Sequence, residues 1–184
     1  MLFVQKNGII PGVIEMNEDK RTDLSRQLSV DISNLVRLLE SNAYTCVLCN
    51  GDRVFTTRLR GVTPLVQWLQ EGAIPAGFSA ADKVVGKATA FLYCLLGAKA
   101  VYARVMSRGA KTVLENNGIY AQYSTLTDYI ENRKKDGMCP FETAVMDIDA
   151  PEQALTAIYE TMKALGIPFA EKAVMPVCPE EKDG

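Results

Sequence analysis

Histidine is missing from all 184 residues, and that single absence removes whole classes of chemistry. No Ser-His-Asp or Cys-His catalytic arrangement, no His-ligated metal site and no imidazole general base can be built from this chain. An excess of charge of one sign is also lacking. Lys and Arg total 20 against 22 Asp and Glu, a formal net charge of −2, and the basic residues are scattered rather than striped. The electrostatic footprint of a nucleic-acid binder is therefore absent. Long apolar runs are missing too. The longest, Ala88 to Ala98, falls well short of the roughly 20 residues a helix needs to cross a bilayer, so no membrane span is expected. The opening stretch MLFVQKNGIIPGVIEMNEDK is interrupted by Lys6, Pro11 and Gly12 before any signal-peptide core develops. Five cysteines, Cys46, Cys49, Cys94, Cys139 and Cys178, form an odd set without a secretory signal. Reduced thiols and a cytoplasmic location follow as expectations.

What is present is ordinary globular material: 48% hydrophobic and 23% charged residues, enough to fill a core. The length favours one core with an extra arm. We expect an N-terminal arm over residues 1–21, one domain over 22–168 and a charged tail over 169–184. Residues 22–41 place Leu24, Leu28, Ile32, Leu35 and Leu39 three and four apart, the pattern of a helix with one apolar stripe. The run AYTCVLCNGDRVFTTRL reads as a hairpin turning at Asn50-Gly51. Thr63-Pro64 opens a helix in which Trp68 packs inward. Ser79-Ala-Ala-Asp82 has the form of a capping box and predicts a long helix to about Leu96, ended by Gly97. Lys99–Met106 is predicted as a strand, Arg108–Asn117 as a helix closed by Gly118, and Ile119–Tyr123 as a strand parallel to the first. Asp149-Ala-Pro-Glu caps a last helix to about Leu165.

The run SAADKVVGKATAFLYCLLGAKAVYARVMSRGAKTVLENNGI, followed by DGMCPFE, resembles the small bacterial family known as domain of unknown function 1893. The likeness covers roughly residues 25 to 165. That resemblance implies a cytidine deaminase-like fold, an α/β protein with a mixed sheet in a three-layer α/β/α sandwich, and implies no particular activity. In zinc deaminases of this fold two motifs, His/Cys-x-Glu and Pro-Cys-x-x-Cys, open two helices that converge on one metal. The matching places here read Ala81-Asp82-Lys83 and Ser107-Arg108-Gly109-Ala110, which supply one carboxylate at most where three ligands are needed. No metal and no cofactor is implied, and deamination by the usual route is excluded.

Two helix N-termini with unpaired N–H groups, joined by Lys83, Lys87 and Arg108, would still make a positive pocket suited to a small anionic or nucleotide-like metabolite. The same residues admit a structural reading, with Asp82 as a cap and Lys83 and Lys87 on a solvated face. Gly86 inside the predicted helix marks a close backbone contact. Cys139-Pro140-Phe141-Glu142 places a thiol at a helix start, where the dipole favours a thiolate, with Glu142 one turn inside as cap or acid/base. A small buried residue at a helix start is the alternative. Cys46 and Cys49, three apart on a strand, point to opposite faces and do not serve one ion. Three functions stay open: a zinc-free metabolite binder using Asp82, Lys83, Lys87, Arg108, Cys139 and Glu142; an enzyme with Cys139 as nucleophile and Glu142 as acid/base; and a self-association module, for instance a homodimer.

Overall fold

A computed structural model describes residues 31–169. The first described element is a helix over residues 31–41, α1; the earlier part of the helix expected from residue 22, the N-terminal arm, nearly all of the expected tail and Cys178 lie outside the described residues. The hairpin follows as β1 (Cys46–Asn50) and β2 (Arg53–Thr57). Its register pairs Asn50 with Arg53, so the two-residue loop is Gly51-Asp52, one residue later than the sequence pattern indicates. Gly51 takes a φ of 59° there, which a glycine adopts without a Cβ penalty. Asn50 instead uses its side-chain amide to bond the carbonyls of Pro75 and Ala76.

Helix α2 (Thr63–Glu71) starts from Val62 with no side-chain cap, so Thr63 is its first residue rather than its cap. The main departure from expectation comes next. Ser79 to Val85 is a strand, β3, and not the first turns of a helix. It is the central strand of the sheet, antiparallel to β1 and parallel to β4 (Ala100–Ser107). A helix with Asp82 as cap is thus corrected: the chain turns at Gly86 and α3 runs from Lys87 to Leu95. Helix α4 (Arg108–Asn116) crosses to β5 (Tyr120–Thr127), which lies parallel to β4. A five-residue helix α5 (Pro140–Ala144) and then α6 (Pro151–Ala164) close the described chain. Ala150, without a side-chain cap, precedes α6, so Asp149 does not cap it.

The five strands lie in the order β2-β1-β3-β4-β5, a mixed sheet with helices on both faces. On one face Ile32, Leu35 and Leu39 of α1 pack over Val47, Ala81, Ala100 and Tyr102. On the other, α2, α3, α4 and α6 build the larger core around Phe78, Phe91, Leu92, Met106, Leu114 and Ile158. This is α/β/α layering. Burying each such side chain contributes about 1.5–3 kcal/mol. Strand alternation sorts the faces: Ala80 joins the larger core and Ala81 the smaller. Cys46 and Cys49 likewise belong to opposite cores.

Candidate functional site

The C-terminal ends of β3 and β4 feed directly into α3 and α4, so the starts of these two helices lie side by side at one end of the sheet. An added Cβ on Gly109 would sit 3.4 Å from the Lys87 stem. Helix N-termini carry N–H groups without intrahelical partners and favour a negative group. That group is already present, and it belongs to the chain itself. Glu142, the third residue of α5, turns its carboxylate into the junction. Oε1 accepts from the Lys87 N–H at 2.8 Å and from the Ser107 hydroxyl at 2.5 Å, while Oε2 accepts from the Ile130 N–H. Ser107 Oγ also accepts from the Ala110 N–H at 3.2 Å, capping α4. One carboxylate therefore ties together α3, the β4–α4 corner and the segment ahead of α5.

Glu142 is only 6% exposed, a placement that would be costly for an unpaired carboxylate and is offset here by three donors. No cation contributes to those three bonds; backbone amides and a hydroxyl do the work. Gly86 makes the approach possible. A Cβ built there would lie 3.0 Å from Oε1 and 3.1 Å from Cγ of Glu142, so the close contact read from the sequence is real, with Glu142 as its partner.

The other predicted site residues divide. Lys87 sends its ammonium to the Met146 carbonyl at 2.6 Å and lies 3.9 Å from Asp149, which fastens the end of α5 to the start of α3. Arg108, exposed at the first position of α4, pairs with Asp128 at 2.8 Å. Cys139 is the N-cap of α5 with Pro140 following. Its N–H donates to the Ile130 carbonyl at 2.8 Å, so Ile130 is held from both sides, by Cys139 and by Glu142. Glu142 does not reach back to Cys139 as a capping box would. Lys83 stands apart. As a strand residue next to Asp82 it projects from the opposite face, between the register pairs Asp82–Ala103 and Val84–Val105, on the face where the guanidinium of Arg104 pairs with Glu40 of α1. Lys83 and Arg108, placed together by the helical reading, are on different faces of the sheet.

Asp82 faces the larger core and joins a second cluster. Its Oδ2 accepts from the Tyr93 hydroxyl at 2.8 Å and its Oδ1 from the Val84 N–H at 3.1 Å. Tyr93 Oη lies 3.2 Å from Cys46 Sγ. The residue keeps some exposure while the carboxylate turns inward. Burial pushes its carboxyl up to about 6, against the lowering effect of its hydrogen bonds. Burial, then the charge of Asp82, raises both the Cys46 thiol and the Tyr93 hydroxyl well above their usual ranges, so both hold their protons. The sequence reading missed Ser107 and Tyr93 as polar partners. Ser107 carried a usable signal, since a serine closing a predicted strand before a helix is a natural N-cap. Tyr93, inside the apolar run of α3, carried none.

Among the described residues no three Cys, Asp or Glu side chains gather as a metal site would require, and no helix is long and apolar enough to cross a membrane. No curated protein matches the chain. Among solved structures, the DUF1893 family protein TM1506 from Thermotoga maritima is similar, with a TM-score of 0.63 and 24% identity, over 69% of this chain and 89% of that one. At that identity the likeness speaks for the fold alone. The family model described as TM1506, domain of unknown function (DUF1893), matches residues 34–162, which include every strand and every helix start described above, apart from that of α1. The chain belongs to the DUF1893 family.

Proposed function

We propose that the chain is a cytidine deaminase-like protein without a zinc site, and that it binds a small anionic or nucleotide-like metabolite where the starts of α3 and α4 converge. The observation that carries this reading is the Glu142 carboxylate itself, which is held by the Lys87 N–H, the Ser107 hydroxyl and the Ile130 N–H as a bound anion would be. A carboxylate or phosphate of the ligand takes that place, and Glu142 withdraws with α5. Lys87, whose stem abuts Gly109, and Arg108, the residue before that glycine, supply cations at the rim. Asp82 and Lys83 have no part in this site. The junction residues Gly86-Lys87-Ala88 and Ser107-Arg108-Gly109-Ala110 include no zinc ligand, so metal-bound water has nothing to rest on. Glu142 is engaged away from Cys139, which favours binding over thiol chemistry.

A carboxylate tethered to the same chain competes at an effective concentration in the millimolar range or above. Removing it therefore tightens binding. Titrating wild type, Glu142→Ala and Glu142→Gln with inorganic phosphate and with a nucleoside monophosphate by calorimetry should show weak binding to wild type. Binding to Glu142→Ala should be about tenfold tighter or more. Equal or weaker binding by both variants, or none by any form, would show a sealed structural joint, and sedimentation would then test the self-association reading.

A further inference from the structure

Asp82, Tyr93 and Cys46 lie outside the Glu142 junction, and nothing in the proposed binding uses them. They come from three elements, β3, α3 and β1, and Cys46 and Asp82 are direct antiparallel partners. We infer that these three side chains form a proton-set switch, a hydrogen-bonded cluster whose donors reverse direction when Asp82 takes up a proton from solvent. Tyr93 Oη carries one proton and has two neighbours, Asp82 Oδ2 at 2.8 Å and Cys46 Sγ at 3.2 Å. An ionised carboxylate only accepts. Tyr93 must then donate to Asp82, and the Cys46 S–H, within reach of both groups, donates to the Tyr93 oxygen or to the carboxylate itself. When a proton from water binds Asp82, it goes to Oδ2, because Oδ1 is committed to the Val84 N–H. Asp82 now donates to Tyr93, the Tyr93 O–H turns to the Cys46 sulfur, and the S–H, its hydrogen still on sulfur, rotates out of the cluster. A thiol is a weak donor, so releasing it costs little.

The surroundings permit this. The groups facing Asp82 are Cys46 from β1, Tyr93 from α3, its register partner Ala103 from β4, and the backbone of Lys83 and Val84; the Lys83 side chain projects from the other face. Among the described residues no cation pins the carboxylate in its charged form. Asp82 is partly exposed and its neighbour Val84 is 44% exposed, whereas Tyr93 is 0% and Cys46 2% exposed. The cluster thus passes a proton signal from the carboxyl of a partly exposed residue to a thiol sealed between strands.

The test follows the wild-type protein through a pH titration, with the Asp82 carboxyl and Tyr93 ring carbons read by NMR and the Cys46 S–H stretch by Raman, assigned by difference from Cys46→Ala. The expected result is one shared midpoint near 6 for all three signals. In Tyr93→Phe the carboxyl still titrates and the S–H band follows it with a smaller shift, through the direct Cys46–Asp82 contact alone. An S–H band unchanged while Asp82 titrates would overturn the switch, and so would a Tyr93 signal that ignores Asp82; both readouts exist in wild type, whatever the variants do.

Discussion

Gly86 is glycine because of what stands opposite. Its backbone angles, φ −93° and ψ 173°, are open to any residue, so the constraint is the contact with Glu142 and not the conformation. The carboxylate is pinned by three donors and cannot swing aside without breaking them. Gly86→Ala gains about 0.4–1 kcal/mol by restricting the unfolded chain and loses about 1–3 kcal/mol to crowding, so we expect net destabilisation in urea unfolding. In a Glu142→Ala background the same substitution should be neutral or stabilising, and additive effects would contradict the contact. Asp82 yields a second prediction. Its carboxyl, 3.8 ordinarily and about 6 in the fold, holds its proton more tightly when folded. Its contribution is therefore full below the ordinary value, falls away between about 4 and 6, and is absent above. That difference corresponds to about 3 kcal/mol at the upper limit, less for a partly exposed residue. Asp82→Asn keeps an acceptor for Val84 and a donor toward Tyr93, so it should raise stability at neutral pH and flatten that slope. A variant less stable than wild type at neutral pH would refute this.

At the scale of elements, the short excursion between β5 and α5 is held by Asn132, whose Oδ1 accepts from the Lys134 and Asp136 N–H groups while its amide donates to Asp136. Lys135 there adopts a φ of 59°. Asn132→Ala should cost about 1 kcal/mol and speed hydrogen exchange at Lys134 and Asp136, with Lys87 unaffected; faster exchange at Lys87 as well would mean that the excursion and the α3 start open as one unit. Which elements were legible follows from the same local chemistry. Asn50-Gly51, Gly97 and Gly118 announced their turns, and the stripe of Ile32, Leu35 and Leu39 announced α1. Ser79-Ala-Ala-Asp82 did not announce β3. Alanines and a Ser-x-x-Asp pattern favour a helix locally, yet a central strand flanked by helices on both faces needs small side chains, and that tertiary demand prevailed. The error moved Asp82 and Lys83 from one helical turn to opposite faces of a sheet. A close contact at Gly86 was expected on the premise that it lies inside a helix; it precedes α3 instead, and its partner, 56 residues on in the chain, was not legible because nothing local fixes where α5 docks.

Across the whole molecule, two parallel strands deliver two helix starts to one end of the sheet, and a third segment returns a carboxylate to them. The parallel β4–α4–β5 passage could be read from periodicity and glycine placement, whereas the layered α/β/α architecture was implied by the family resemblance. The occupied junction could not, since it depends on α5 reaching α3 and β4 across the tertiary fold. This arrangement makes the junction a place built for a negative group, which is the centre of the account. The most direct test is a crystal structure of Glu142→Ala grown with acetate or phosphate. An anion should stand hydrogen-bonded to the Lys87 N–H and the Ser107 hydroxyl in the space left by Glu142; a cavity that collapses, or one that takes up no anion, would show that the junction is not an anion site.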